Sequence, residues 1–150
     1  MGMKISVACD HGAYALKEKV KGWLTEAGYE VRDFGCYGTE SVDYPDFALP
    51  AAEALSQGQV DRGVFLCTTG IGVSICANKV KGVRCALCTD SMSAFLTREH
   101  NDANALAMGA GVVGENLAKE ILFTWLDTPF SGAGRHQRRI DKISAYESNH

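Results

Sequence analysis

The sequence predicts an α/β fold in which a mostly parallel five-stranded sheet is covered by helices on both faces. Two observations carry that prediction. Strand-like segments alternate with segments whose apolar residues recur at helical spacing, and regular β-α alternation is the pattern of parallel sheets joined by helical crossovers. The chain has 150 residues, 46% hydrophobic and 22% charged, enough for one hydrophobic core and too few for two domains. It is therefore expected to be a single domain spanning 1–150.

KISVAC (4–9) is the first strand. From Ala13 to Ala27 the residues Leu16, Val20, Trp23, Leu24 and Ala27 fall on one helical face, and Gly28 stops the helix. YEVRDF (29–34) alternates as a second strand. Asp43-Tyr44-Pro45 opens a helix to about Gln57, with Pro45 in its first turn, where a missing N–H costs nothing. Pro50 lies deeper, where its ring kinks a helix or moves its start. RGVFLC (62–67) is the third strand and Gly72–Lys79 a short helix. VRCALC (83–88) is the fourth strand, Ser91 the N-cap of a helix to about Glu99, and NALAM (104–108) the fifth strand. An amphipathic helix from Glu115 to Leu126 and a basic helix, RHQRRIDKISAYE (135–147), complete the order. Repeats and low-complexity tracts are absent from the sequence.

Composition narrows the function classes. A formal charge of −3 argues against nucleic acid as a general partner, although a local basic cluster can still hold one small anion. No apolar stretch approaches the roughly 20 residues of a membrane helix. The start MGMKIS fits the myristoylation pattern, but Ile5 and Ser6 already belong to the first strand; Met3-Lys4 reads as the native start, with Met1-Gly2 an added pair. Six cysteines without a secretory segment read as free thiols in a reducing compartment, so the cytoplasm is the expected location.

In parallel sheets ligands sit beyond the carboxyl ends of the strands, where strand order reverses. That rule selects Asp10-His11, the stretch from Cys67 to Gly72, and Asp90, to which the loop after the fourth helix adds His100-Asn101. All are expected along one sheet edge. TTGIG (68–72) joins a strand to a helix, so its amides can face an anion at the positive end of the helix dipole. It is not a nucleotide fingerprint, since G-x-G-x-x-G and G-x-x-x-x-G-K-[ST] are absent, and a tight turn needing glycine for geometry accounts for it equally well.

A buried cysteine is usually a small hydrophobe, but a thiol at a helix N-terminus gains thiolate character, which makes Cys67 a candidate base or nucleophile. Cys85 and Cys88 stand three apart on a strand, hence on opposite faces, and neither chelate nor pair. Cys9 and Cys76 read as packing residues. His11 and His100 are candidates for acid-base work, and no histidine or carboxylate cluster occurs at metal-ligand spacing. Arg135, Arg138 and Arg139 share a helix face, where an anion would relieve their repulsion; a solvated basic face, or pairing with a neighbouring subunit, is the plainer alternative. A site holding an anionic small molecule with arginines and amides, and moving protons with a thiol and a histidine, suits aldose–ketose isomerisation, which needs no cofactor.

DHGAYALK (10–17), SVDYPDFA (41–48), CTTGIGVSICANKVKGVRCAL (67–87), REHNDANALAMG (98–109) and GRHQRRI (134–140) resemble ribose-5-phosphate isomerase B and the galactose-6-phosphate isomerase subunits. The resemblance implies a Rossmann-like three-layer αβα sandwich. It implies a homodimer or dimer of dimers whose active sites are each completed by a neighbour, with the C-terminal helix packed on the partner. It further implies that Cys67 shuttles a proton between C1 and C2 with Thr69 nearby, and that His100 opens the furanose ring. Asp10, His11, Asn101 and Tyr44 would contact the sugar, the amides of Thr68, Thr69, Gly70, Ile71 and Gly72 would hold the enediolate, and Arg135 and Arg139 would grip the phosphate. The chain departs from the pattern twice: Thr68 stands where relatives have glycine, and Gly111 where they have a phosphate-binding arginine. A charge-assisted bond of that kind contributes roughly 1.5–3 kcal/mol. The expected reaction interconverts ribose 5-phosphate and ribulose 5-phosphate. The alternatives are a six-carbon substrate such as allose or galactose 6-phosphate, a sugar with little need of phosphate, and a non-catalytic sugar-phosphate binding module.

Overall fold

The computed structural model describes residues 2–150, so the reading of an added Met1 falls outside the described residues. Five strands, β1 (Lys4–Cys9), β2 (Glu30–Asp33), β3 (Arg62–Cys67), β4 (Cys85–Leu87) and β5 (Ala105–Gly109), form one sheet in the order β2-β1-β3-β5-β4. Every pairing is parallel. Six helices connect or follow the strands: α1 (Tyr14–Glu26), α2 (Pro45–Ser56), α3 (Ile71–Asn78), α4 (Ser91–Asn101), α5 (Glu115–Asp127) and α6 (Gly134–Ser148). A single 3-10 turn, His11–Ala13, precedes α1.

The central strands bury both faces, as parallel strands between two helical layers must. Ile5, Val7, Cys9, Val64, Leu66, Leu106 and Met108 face a core built with α1, α4 and α5, around the fully buried Trp125. Ala8, Phe65, Cys67, Ala105 and Ala107 face the other core, with α2 and α3. Period-2 alternation thus decides that Cys67 points to the α2–α3 side. The two-sided arrangement bears out the αβα expectation.

Strand order reverses between β1 and β3, so the turns leaving these strands diverge to opposite faces and open a crevice at their carboxyl ends. Asp10 and Cys67 stand on its two sides. The register seats Cys9 beside Leu66 and Cys67 beside Gly109, so the turns after β1, β3 and β5 lie next to one another.

Some local expectations change. Asp90, not Ser91, caps α4, its carboxylate accepting the Ser93 N–H at 2.7 Å and the Ser93 hydroxyl at 2.9 Å; its extended backbone leaves the side chain free to reach the first turn. The strand expected over 83–88 shortens to Cys85–Leu87; at its start the Asn104 side chain takes the Arg84 N–H at 2.8 Å. Pro50 stays inside α2, and Pro45 sits at its start.

The loop after β2 is tied down by Lys17, whose side chain is 0% exposed and donates to both oxygens of Asp33 at 2.6 and 2.8 Å and to the Cys36 carbonyl at 2.7 Å. Burial works against the Asp33 carboxylate, but the hydrogen bonds from Lys17 and Lys21 outweigh it and hold its pKa below the ordinary value. The loop so fixed leads to Val42, whose N–H reaches His11.

Candidate active site

The sequence of β3, its turn and α3 builds the first part of the site. Gly70 takes a left-handed conformation at φ +79 and starts α3, which a residue with a side chain resists. This folds the chain back so that the Gly70 N–H donates to Cys67 Sγ at 3.1 Å, and the Ile71 N–H donates to Thr69 Oγ1 at 3.2 Å. Two of the amides expected to face a ligand are therefore engaged within the turn, one of them on the sulfur itself. Tyr44 lies over Gly72 so closely that a Cβ there would stand 2.6 Å from its Cζ.

Across the crevice, Asp10 is buried and its Oδ1 accepts the Gly12 N–H at 3.0 Å. His11 Nδ1 accepts the Val42 N–H at 3.1 Å, which leaves Nε2 to carry the proton of the neutral ring. Cys67, Thr68, Thr69, Gly70, Ile71, Gly72, Tyr44, Asp10 and His11 thus gather at the carboxyl edge, as expected.

His100 and Asn101 do not join them. The expectation of a single edge is corrected here: α4 starts at the carboxyl edge behind Asp90 and runs back, so its last residues arrive at the amino edge, just before β5. Their position is confirmed by Arg84, at the amino end of β4, which donates to the Asn101 carbonyl at 3.0 Å and the Asp102 carbonyl at 2.9 Å. Here His100, Asn101, Arg135 and Arg139 line a basin of about 360 Å³ with Arg84, His136, Ile140 and Ile143. Arg138 is not among its lining residues.

Sequence reasoning missed two polar members of this basin, His136 and Arg84. His136 is buried, its ring lies 4.3 Å from that of His100, and its Nδ1 is 3.0 Å from Ser131 Oγ. Burial pushes the His136 pKa down, and the charges of His100, Arg135 and Arg139 push the same way. Its place inside RHQR was the available signal. Arg84 carried no signal, because only the return of α4 brings it to Asn101.

The remaining thiols are packing residues. Burial pushes Cys9, Cys85 and Cys88 up to about 12, with the nearby Cys36 adding to the effect on Cys9. Burial also raises Cys76. Cys88 packs in the α1–α5 core and Cys85 against the other, so the C-x-x-C pair does straddle the sheet. Among the described residues, no three His, Cys, Asp or Glu side chains group as a metal would require.

Comparison with known proteins agrees with this architecture. A ribose-5-phosphate isomerase B from Clostridium thermocellum superposes with a TM-score of 0.95 at 54% identity, covering 98% of this chain and 99% of that one. Ribose-5-phosphate isomerase B of Escherichia coli is 46% identical over 144 residues, 96% of each chain. D-erythrulose-4-phosphate isomerase of Pectobacterium atrosepticum is 42% identical over 146 residues, 97% of this chain and 95% of that protein. The model of the Ribose/Galactose Isomerase family matches residues 5–143, which takes in both the Cys67 turn and the arginine basin. The chain belongs to the ribose/galactose isomerase family.

Proposed function

We propose that this sugar-phosphate isomerase interconverts ribose 5-phosphate and ribulose 5-phosphate, with Cys67 as the base and each active site shared between two copies of the chain. The observation that carries the reading is the split itself. One chain presents a thiol beside a helix N-terminus at one sheet edge and a basin of arginines and histidines at the other. Neither half alone can bind an anionic sugar and move its proton. A second copy joins them, and the exposed Ile71, Ile75, Met92, Phe95, Ile143 and Tyr146 supply apolar surface for that contact. In this reading α6 is held on its own chain by His136 and Ile140 and offers its outer half to the partner.

The chemistry follows from the groups. His100 of the partner subunit donates a proton to the ring oxygen as its bond to C1 breaks and the O1 proton leaves to solvent, which opens the furanose to the aldehyde. The Cys67 thiolate removes the proton from C2 of the open aldose, forming a cis-enediolate beside the Thr68–Gly72 turn. The sulfur returns that proton to C1, while the O2 proton passes to O1. Asp10, His11, Tyr44 and the partner's Asn101 hold the hydroxyls, and the partner's Arg135 and Arg139 hold the phosphate. All atoms stay in the substrate, so the reaction needs no cofactor. The free thiols suit a reducing cytoplasm.

The test is complementation. Chains carrying Cys67→Ala and chains carrying His100→Ala are each expected to be inactive with ribose 5-phosphate. Unfolded together in equal amounts and refolded, they should recover about a quarter of wild-type activity, since half the dimers are mixed and each mixed dimer has one intact site of two. An inactive mixture would refute the shared site, and an active Cys67→Ala enzyme would remove the thiol from the mechanism. Allose, galactose and erythrulose phosphates and free ribose, assayed alongside, rank the substrate. No turnover of any of them would leave the binding-module reading.

A further inference from the structure

Three carboxyl-end turns lie side by side, after β1 (10–12), β3 (68–70) and β5 (110–112). The exposed Thr68 stands in the middle one, directly after Cys67. A Cβ added to Gly12 would run into Thr68 Oγ1 and stand 3.3 Å from Asp10 Oδ1. One added to Gly111 would stand 3.0 Å from Thr68 Cγ2 and 3.1 Å from the Thr68 carbonyl oxygen, which already accepts the Gly111 N–H at 2.8 Å. The hydroxyl of Thr68 is thus turned to the Asp10 side and its methyl to the β5 side. Neither Gly12 nor Gly111 has a positive φ. Backbone conformation does not demand glycine at either place; at Gly12 the Thr68 hydroxyl takes the room, and at Gly111 a Cβ would press on the Thr68 methyl and carbonyl oxygen.

We propose that the Thr68 side chain is the specificity-determining residue of the Cys67 half-site: it wedges between the turns after β1 and β5 and presents a hydroxyl, so that this half receives the neutral polyhydroxy part of the substrate. The three turns read DHG, TTG and AGV and contain no lysine or arginine. They offer hydroxyls, an imidazole and one carboxylate, which match sugar hydroxyls and repel a phosphate. The anionic end then falls to the arginine basin. This inference rests on the isomerase reading above and adds to it the residue that shapes the Cys67 half. It also makes residues 68 and 111 a coupled pair, because a Cβ at 111 would press on the Thr68 methyl at 3.0 Å.

The experiment is a double-mutant cycle read by thermal unfolding and by kcat and KM for ribose 5-phosphate and free ribose. Gly111→Arg alone should lower Tm and leave the preference for the phosphorylated sugar unchanged. In the Thr68→Gly background the same change should recover the Tm and raise that preference about tenfold or more, as a new charge-assisted contact would. Thr68→Val, which keeps the wedge and removes the hydroxyl, should raise KM for both sugars alike. Should Gly111→Arg fail to fold, Gly111→Ala carries the same test, with a Tm loss that Thr68→Gly reverses. Additive Tm changes, or an equal gain in phosphate preference with Thr68 in place, would overturn the wedge; unchanged KM in Thr68→Val would overturn the hydroxyl contact. A wild-type protein inactive on every sugar phosphate would instead sink the isomerase reading, and the Tm cycle would still report on the wedge.

Discussion

Replacing Gly70 with alanine should destabilise the fold by about 2–5 kcal/mol and remove most of the activity. The residue sits at φ +79, where a side chain strains the backbone by about 1–2 kcal/mol. Its Cβ would also stand 2.6 Å from Leu87 Cδ1, 2.8 Å from the Met108 carbonyl carbon and 3.0 Å from the Gly109 nitrogen. The leucine tip can turn away. The β5 backbone cannot, because Gly109 is held in register with Cys67, so overpacking adds about 1–3 kcal/mol. Gly58→Ala is the matched control: φ is +75 and nothing lies within 4 Å of the added carbon, so it carries the backbone strain alone. Urea unfolding of both variants, with equal m-values, isolates the packing contribution as their difference. The same displacement moves the Gly70 N–H off Cys67 Sγ; in the proposed mechanism that sulfur is charged, and losing the bond, about 1.5–3 kcal/mol, lowers kcat roughly 10–100-fold. A Gly70→Ala protein as stable as Gly58→Ala, or one with wild-type kcat, would refute the role given to this turn.

Other consequences can be measured in the same way. Lys17→Met leaves the Cys36 carbonyl without its donor and Asp33 with Lys21 as its one cation, and should cost about 3–5 kcal/mol in urea unfolding; a loss under about 1 kcal/mol would mean that the buried ammonium matters little. Because the native Asp33 pKa lies below its unfolded value of 3.8, its contribution is complete above that pH and disappears as pH falls through the native pKa. Acid unfolding of Asp33→Asn should therefore be less steep there, and an identical acid limb would contradict the assignment. Arg135→Ala and Arg139→Ala should each raise KM for ribose 5-phosphate roughly 10–100-fold with little change for free ribose; a fall in kcat at constant KM would place these arginines elsewhere in the reaction.

What was legible in the sequence is what short-range geometry decides. Periodicity distinguished five strands from six helices, and alternation within β3 and β5 placed each residue on a face, because side-chain direction repeats every two residues in a strand and every 3.6 in a helix. The Cys67 turn could be read for the same reason: thiol, left-handed glycine and helix start lie within five residues, so their contacts are local. His100 could not be placed this way. A loop that follows a strand opens at the carboxyl edge, but His100 ends a helix of 11 residues, which at 1.5 Å per residue carries the chain about 16 Å back. His100 and Asn101 therefore reach the opposite edge, where α6 meets them.

The sequence alone determined the α/β class, the thiol turn and the basic helix, since each depends on residues near one another along the chain. Only the tertiary structure decided which of these share a site. It put Arg135 and Arg139 with His100 and the overlooked His136, separated them from Cys67 in the same chain, and set Thr68 between Gly12 and Gly111. Those are distances across packed elements, fixed by strand order and by the direction in which each helix returns, and neither is written in the spacing of residues.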